Sequence, residues 1–124
     1  MSAFTLDASL TMTWCFQDEA DSYADRVLNS LTHSHAVVPE IWPLEVGNVL
    51  LVAERHVLLA SSNSSHFLDL LRELPIQVEY STQQRMFSVI LNLARDFCLS
   101  SYDAAYLDLA FQTGFPLATL EKSL

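Results

Sequence analysis

Short β-branched stretches alternate with longer stretches of helical periodicity along this chain, and that alternation is its strongest constraint on fold. Ala3 to Asp7 reads as a short strand that ends on an acid. Ala36 to Val38 is apolar and β-branched, runs into Pro39 and reads as a second strand. Ile76, Val78 and Tyr80 alternate with polar residues, as in a half-buried strand. Leu117 to Leu120 reads as the last strand, ending at Glu121. Between the first two strands, Asp18 or a near neighbour can cap a helix to about Leu31, with Ala20, Tyr23, Ala24, Val27, Leu28 and Leu31 on one face. Pro43 suits the first turn of a helix from about Trp42 to Arg55, because no amide donor is needed there. Ser61 to Ser65 reads as a polar turn, and Phe67, Leu68, Leu71 and Leu74 mark a short helix that Pro75 stops. Thr82 or a neighbour caps a helix reaching Phe97. Ser100 or Ser101 caps the next, to about Gln112, and Gly114 follows as its C-cap. Short strands alternating with helices predict an α/β fold, a three-layer α/β/α sandwich around a central parallel sheet. No repeat, low-complexity tract or linker interrupts the pattern, so residues 1–124 read as one domain.

Charge limits the partners. Fifteen Asp and Glu face six Lys and Arg, for a net charge of −9. The six cations are scattered singly and form no basic stripe, which argues against tight, sequence-independent nucleic-acid binding by the bare monomer. An acidic metal site or a cationic protein partner fits better. Only 17% of residues are charged, below the usual quarter or so, which predicts a weakly charged surface and hence a covered face. Cys15 and Cys98 lie far apart and outside any ligand motif, so they read as reduced core thiols. His33, His35, His56 and His66 have no metal-ligand spacing, and His33 and His35 are expected to be exposed. No basic, apolar leader opens the chain and no apolar run reaches the ~18 residues of a membrane span, so the expectation is a soluble cytoplasmic protein with no membrane contact.

The acids carry the chemistry. Ligands of open α/β sheets collect outside the carboxyl ends of the strands. Asp7 ends the first strand and Glu121 the last, so acids from both ends of the chain point at one edge. Asp103 falls in the first turn of its helix on the stripe of Tyr106, Leu107 and Ala110, which reads as core-facing, with Asp108 on a more exposed side beside Ala104 and Gln112. Glu45 shares its stripe with Ile41, Asn48, Val49 and Val52. Each acid alone also reads as a cap or a turn residue. Several carboxylates on one point repel one another, whereas a hard cation such as Mg²⁺ or Mn²⁺ neutralises them and can activate water against a phosphate. No P-loop, HExxH, nucleophile triad or glycine-rich dinucleotide loop competes, and DASLTM after the first strand makes an α/β oxidoreductase a poor reading.

Four segments then carry a family resemblance. FTLDASLTMTWCFQDE resembles the opening of PIN domains of the VapC toxin type, and VPEIWPLEVGNVLL resembles their second block, with Glu45 and Asn48 in place. LARDFCLSSYDAAYLDLA resembles the third block and is the most specific, and GFPLATLEKSL resembles the fourth. The blocks come in family order over nearly the whole chain. The resemblance implies a PIN-like fold and a metal-dependent endoribonuclease acting on an RNA substrate. It implies Asp7, Glu45 and Asp103 as metal-site acids, with Glu121 where the family usually has Asp. It also implies a homodimer and inhibition by a small VapB-like antitoxin. The family usually continues into a further helix and strand beyond the position of Leu124, so an edge of its sheet is expected to be missing here. The alternative is a catalytically degenerate PIN-like module that binds proteins.

One further expectation concerns Thr82 to Phe97. Met86, Phe87, Val89, Ile90, Leu91, Leu93, Ala94 and Phe97 form an apolar arc wider than one core contact needs, which reads as an interface with a second copy or, alternatively, as a central helix buried on two sides.

Overall fold

The structure is a computed structural model that describes residues 2–16, 19 and 21–124. Four parallel strands, β1 (Ala3–Leu6), β2 (His35–Pro39), β3 (Ile76–Glu79) and β4 (Leu117–Ala118), form a sheet in the order β3-β2-β1-β4. Helices flank it in a three-layer α/β/α sandwich, as the alternating pattern predicts. These helices are α1 (Ala8–Thr13), α2 (Ser22–Ser30), α3 (Trp42–Arg55), α4 (Ser61–Arg72), α5 (Gln83–Arg85), α6 (Leu91–Phe97) and α7 (Ser101–Thr113). Among the described residues, no helix is long and apolar enough to cross a membrane.

The chain builds outward from β1 through β2 to β3, then returns to lay β4 on the other side of β1. Phe4 pairs with Ala36 in β2, and Leu6 with Ala118 in β4. The strand order therefore reverses between β1 and β4, and an open parallel sheet leaves a crevice at the carboxyl ends of the strands where this happens. Ala36, Val37 and Val38 are all buried, with no alternation, because helices cover both faces of the interior strand β2. Edge strand β3 is only half buried, and its Gln77 is exposed.

Capping chemistry sets several boundaries as expected. Thr82 and Ser100 accept from the amides of Arg85 and Asp103, and Gly114 ends α7 with φ +73°. Helix α3 spans Trp42–Arg55 with Pro43 in its first turn. Other boundaries differ from the sequence reading. Helix α1, which follows Asp7 directly, was not anticipated from sequence. Helix α2 is capped by Asp21, whose carboxylate accepts from Ala24 N at 3.0 Å, while Asp18 and Ala20 lie outside the described residues. Ser61 to Ser65 is the first turn of α4 and no loop, because Ser64 donates to Glu54 Oε2 at 2.6 Å and so anchors the helix start to α3. Strand β4 stops after two residues, and Glu121 stands three residues beyond its end.

The helix expected from Thr82 to Phe97 contains a π-helical turn at Met86–Ile90 between α5 and α6. Ile90 and Ala94 pack into a small second core with Ala104 of α7. The outer stripe Val89, Leu93 and Phe97 is left partly or largely open. Cys98, expected in the core, is exposed in the left-handed position that ends α6, while Cys15 is half buried. His33 is exposed as expected, but His35 is half buried with its ring edge-on to Phe115.

Candidate functional site

The crevice at the strand reversal is acidic. Asp7, Glu45, Asp103 and Glu121, the four acids singled out from sequence, all line one cavity of 390 Å³. They come from four separate parts of the fold: the end of β1, the first turns of α3 and α7, and the segment after β4. Glu19 lines the same cavity and was not foreseen, since no pattern in the sequence points to it. Asn48, one turn beyond Glu45 on α3, contributes the carboxamide on that wall.

Two of the acids are held by side chains that the sequence reading passed over. Asp7 is 3% exposed. Its Oδ2 accepts from Ser9 Oγ at 2.9 Å and from the Thr119 hydroxyl. Thr119 Oγ1 also accepts from the Glu121 amide at 2.9 Å, so one threonine ties the end of β4 to the acid at the end of β1. Glu45 Oε1 accepts from Tyr106 Oη at 2.6 Å, and Tyr106 is completely buried. Ser9 could have been found from sequence, because a hydroxyl two residues after an aspartate sits within reach of its carboxylate. Tyr106 was read as core, which it is; its second task depends on contact with a residue 61 positions away.

Helical position was judged less well. Asp103 is half buried at the mouth of the cavity, and it is Asp108 that is buried, at 4% exposure. Asp108 pairs with Arg85 Nη2 at 2.6 Å, which compensates the buried charge. Glu45 likewise lies at the edge of the buried stripe of α3, which is formed by Trp42, Val46, Leu50 and Ala53, while Val49 and Val52 are exposed.

Burial pushes the Glu45 carboxyl above the ordinary range; the Tyr106 hydrogen bond opposes this, and the charges of Asp7 and Asp103 add to it. Burial also raises Asp103, followed by repulsion from Asp7 and Glu121. The Tyr106 hydroxyl is raised by burial and then by its bond to Glu45, so it remains a donor at any physiological pH. The lining therefore gathers mutually repelling carboxylates in one cleft. Among the described residues that line it there is no His or Cys, a donor set that suits a hard cation. Among the described residues, no three Asp, Glu, His or Cys side chains already stand close enough together to hold a metal ion.

Fold and site together define an open parallel α/β domain with an acidic cleft at its topological switch point. No protein-family model matches the sequence, and no curated protein matches it. In shape the chain is similar to the crystal structure of PAE2754 from Pyrobaculum aerophilum, with a TM-score of 0.73 at 18% identity over 98% of this chain and 82% of that one. It is also similar to a chain of a toxin–antitoxin complex from Klebsiella pneumoniae, with a TM-score of 0.63 at 14% identity over 95% of this chain and 86% of that one. At such identities the likeness is one of fold.

Proposed function

We propose that the chain is a metal-dependent endoribonuclease of the PIN-domain, VapC-like kind, the toxin of a toxin–antitoxin pair, with Mg²⁺ or Mn²⁺ as its cofactor. The observation that carries this reading is the convergence of Asp7, Glu45, Asp103 and Glu121, from four elements, on one cleft at the strand reversal. The shape shared with a chain of a toxin–antitoxin complex supports it.

In this reading Asp7, Glu45 and Asp103 hold the cation, with Glu121 or water completing the shell. The cation would supply an activated water and charge neutralisation at the scissile phosphate. The protein's own residues fix the ligands. Ser9 and Thr119 hold one Asp7 oxygen, and Tyr106 holds one oxygen of Glu45. Burial of Asp7 and Tyr106 keeps bulk water from competing for those hydrogen bonds.

Metal should stabilise the fold. At a hundred times its dissociation constant, Mn²⁺ is expected to add about 2.7 kcal/mol, a rise in Tm on the order of 10 °C by thermal shift. Tyr106→Phe keeps the ring but releases Glu45, and is expected to need about tenfold more Mn²⁺ for the same rise, in line with losses of other outer ligand supports. The alternative, a degenerate PIN-like protein-binding module, draws on one observation: Glu121 is exposed and bonded back to Ser123 Oγ at 2.9 Å. An absence of any shift with Mn²⁺ or Mg²⁺ selects that alternative.

The same cleft suits an antitoxin. A guanidinium pairs well with carboxylates, and the net charge of −9 speeds the approach of a cationic segment. An arginine-bearing peptide is therefore expected to compete with Mn²⁺ in calorimetric titration. Binding indifferent both to metal and to Asp103→Asn would refute this. The homodimer of this reading covers the outward stripe of Val89, Leu93 and Phe97, with the same surface used twice.

A further inference from the structure

Beside the acidic cleft lies a second cavity of 610 Å³, and the two share walls. Leu44 lines the second cavity and Glu45 the first; Tyr102 lines the second and Asp103 the first. Each pair is consecutive along a helix, so only about 3.8 Å of backbone separates the linings. Both cavities open at the carboxyl edge of the sheet, the acidic one beyond β1 and β4 and the other beyond β2 and β3, at Pro39 and Glu79.

The second cavity differs in chemistry. Its rim carries three exposed aromatic side chains, Tyr80, Phe87 and Tyr102, at 80%, 69% and 61% exposure. Aromatic surface this open is costly in water unless something covers it. Ile90 and Leu109 line the cavity together with polar side chains, among them the carboxylates of Glu40, Glu79 and Asp108. Ser81 buries a hydroxyl that has no hydrogen-bond partner among the described residues. Gln112 lines the cavity with its oxygen turned to Arg85 Nε and Nη2 at 3.0 Å each. An apolar slot with stacking faces and a few placed polar groups suits a planar, partly polar ring, and its volume lies within the usual range for small-ligand pockets. An unpaired nucleobase is such a ring, and it stacks on aromatic side chains whatever its sequence.

We propose that this cavity is a nucleobase subsite. It takes the unpaired base of a single-stranded RNA segment next to the phosphate held at the acidic cleft, stacked between Phe87 and Tyr102. The subsite rests on the ribonuclease reading, for which it supplies the substrate class: RNA with a splayed-out base at the cut, and not continuous duplex. It also supplies grip that the scattered cations of this acidic chain do not.

The test uses the full chain and a single-stranded RNA octanucleotide carrying 2-aminopurine at one position, moved along the strand. With the parent, fluorescence is expected to be quenched at one preferred position relative to the cut. The Phe87→Ala, Tyr102→Ala double variant is expected to bind about tenfold more weakly and to lose that position, while its Mn²⁺-induced thermal shift stays that of the parent. Tyr102→Phe keeps a stacking face and is expected to bind like the parent. Unchanged RNA affinity in a folded double variant overturns the subsite. So does light scattering in which the double variant falls from dimer to monomer with RNA affinity intact, since the patch is then a contact between copies. The two readings fail separately. RNA cut equally well by parent and double variant leaves the nuclease and removes the subsite. Quenching that depends on Phe87 and Tyr102 without any cleavage in Mn²⁺ leaves the subsite and removes the nuclease.

Discussion

Asp103→Asn is expected to abolish metal-dependent RNA cleavage, with a loss well beyond the roughly 10- to 100-fold that follows removal of an outer ligand support. The side chain keeps its shape and loses one charge, and Ser100 still caps α7 through the Asp103 amide at 3.0 Å, so the fold should stand. The same substitution has a second consequence, in stability. Glu45 and Asp103 both have raised carboxyl pKa values in the folded chain, so the folded state holds protons that the unfolded chain releases. Their contribution without metal is full below the ordinary carboxylate range and is lost as pH rises through the raised values. Asp103→Asn removes one of these groups and relieves the other of a neighbouring charge. The metal-free variant should therefore be more stable than the parent at neutral pH and flatter in its pH dependence there. Urea unfolding across pH, beside cleavage of a single-stranded RNA in Mn²⁺, reads both effects. Undiminished cleavage by the folded variant would remove Asp103 from the site.

Much of this site could be read from sequence, because the strand ends carry their acids with them. Asp7 follows β1 directly, and no choice of helix face is needed to bring it to the crevice. Asp103 and Glu45 were located through helix starts that Ser100 and Pro43 mark chemically. The faces of α7 were not legible. That helix packs against the sheet and against α6, and it buries Ala104, Tyr106, Asp108 and Leu109, which do not share one stripe. Counting by threes and fours from Asp103 could not show which aspartate was enclosed. The end of β4 failed for another reason. Thr119 leaves the strand to bond Asp7, a residue 112 positions away, and such a contact leaves no local pattern. Nor does a π turn, which the uninterrupted apolar arc from Met86 to Phe97 conceals.

Arg85→Ala is expected to destabilise the chain by about 3 kcal/mol, and Asp108→Ala by only about 1–2 kcal/mol, although both break the same ion pair. The asymmetry follows from burial. The Asp108 side chain is 6% exposed and that of Arg85 34% exposed. Removing Arg85 strands a carboxylate that is largely shielded from water, whereas removing Asp108 leaves a guanidinium already partly hydrated and still bonded to the Gln112 oxygen. The pair also joins two elements, since Arg85 ends α5 at the start of the π turn and Asp108 sits mid-way along α7. Loss of either partner should therefore loosen Met86–Ile90 first, visible as faster amide exchange there than in β1 and β2. An apolar replacement of both, Arg85→Met with Asp108→Leu, is expected to recover most of the loss, because no charge then remains buried. Urea unfolding of the four proteins compares these losses. Equal losses for the two single variants would mean that Asp108 is solvated in the folded chain, and a double variant no better than Arg85→Ala would mean that the pair acts through geometry more than through charge.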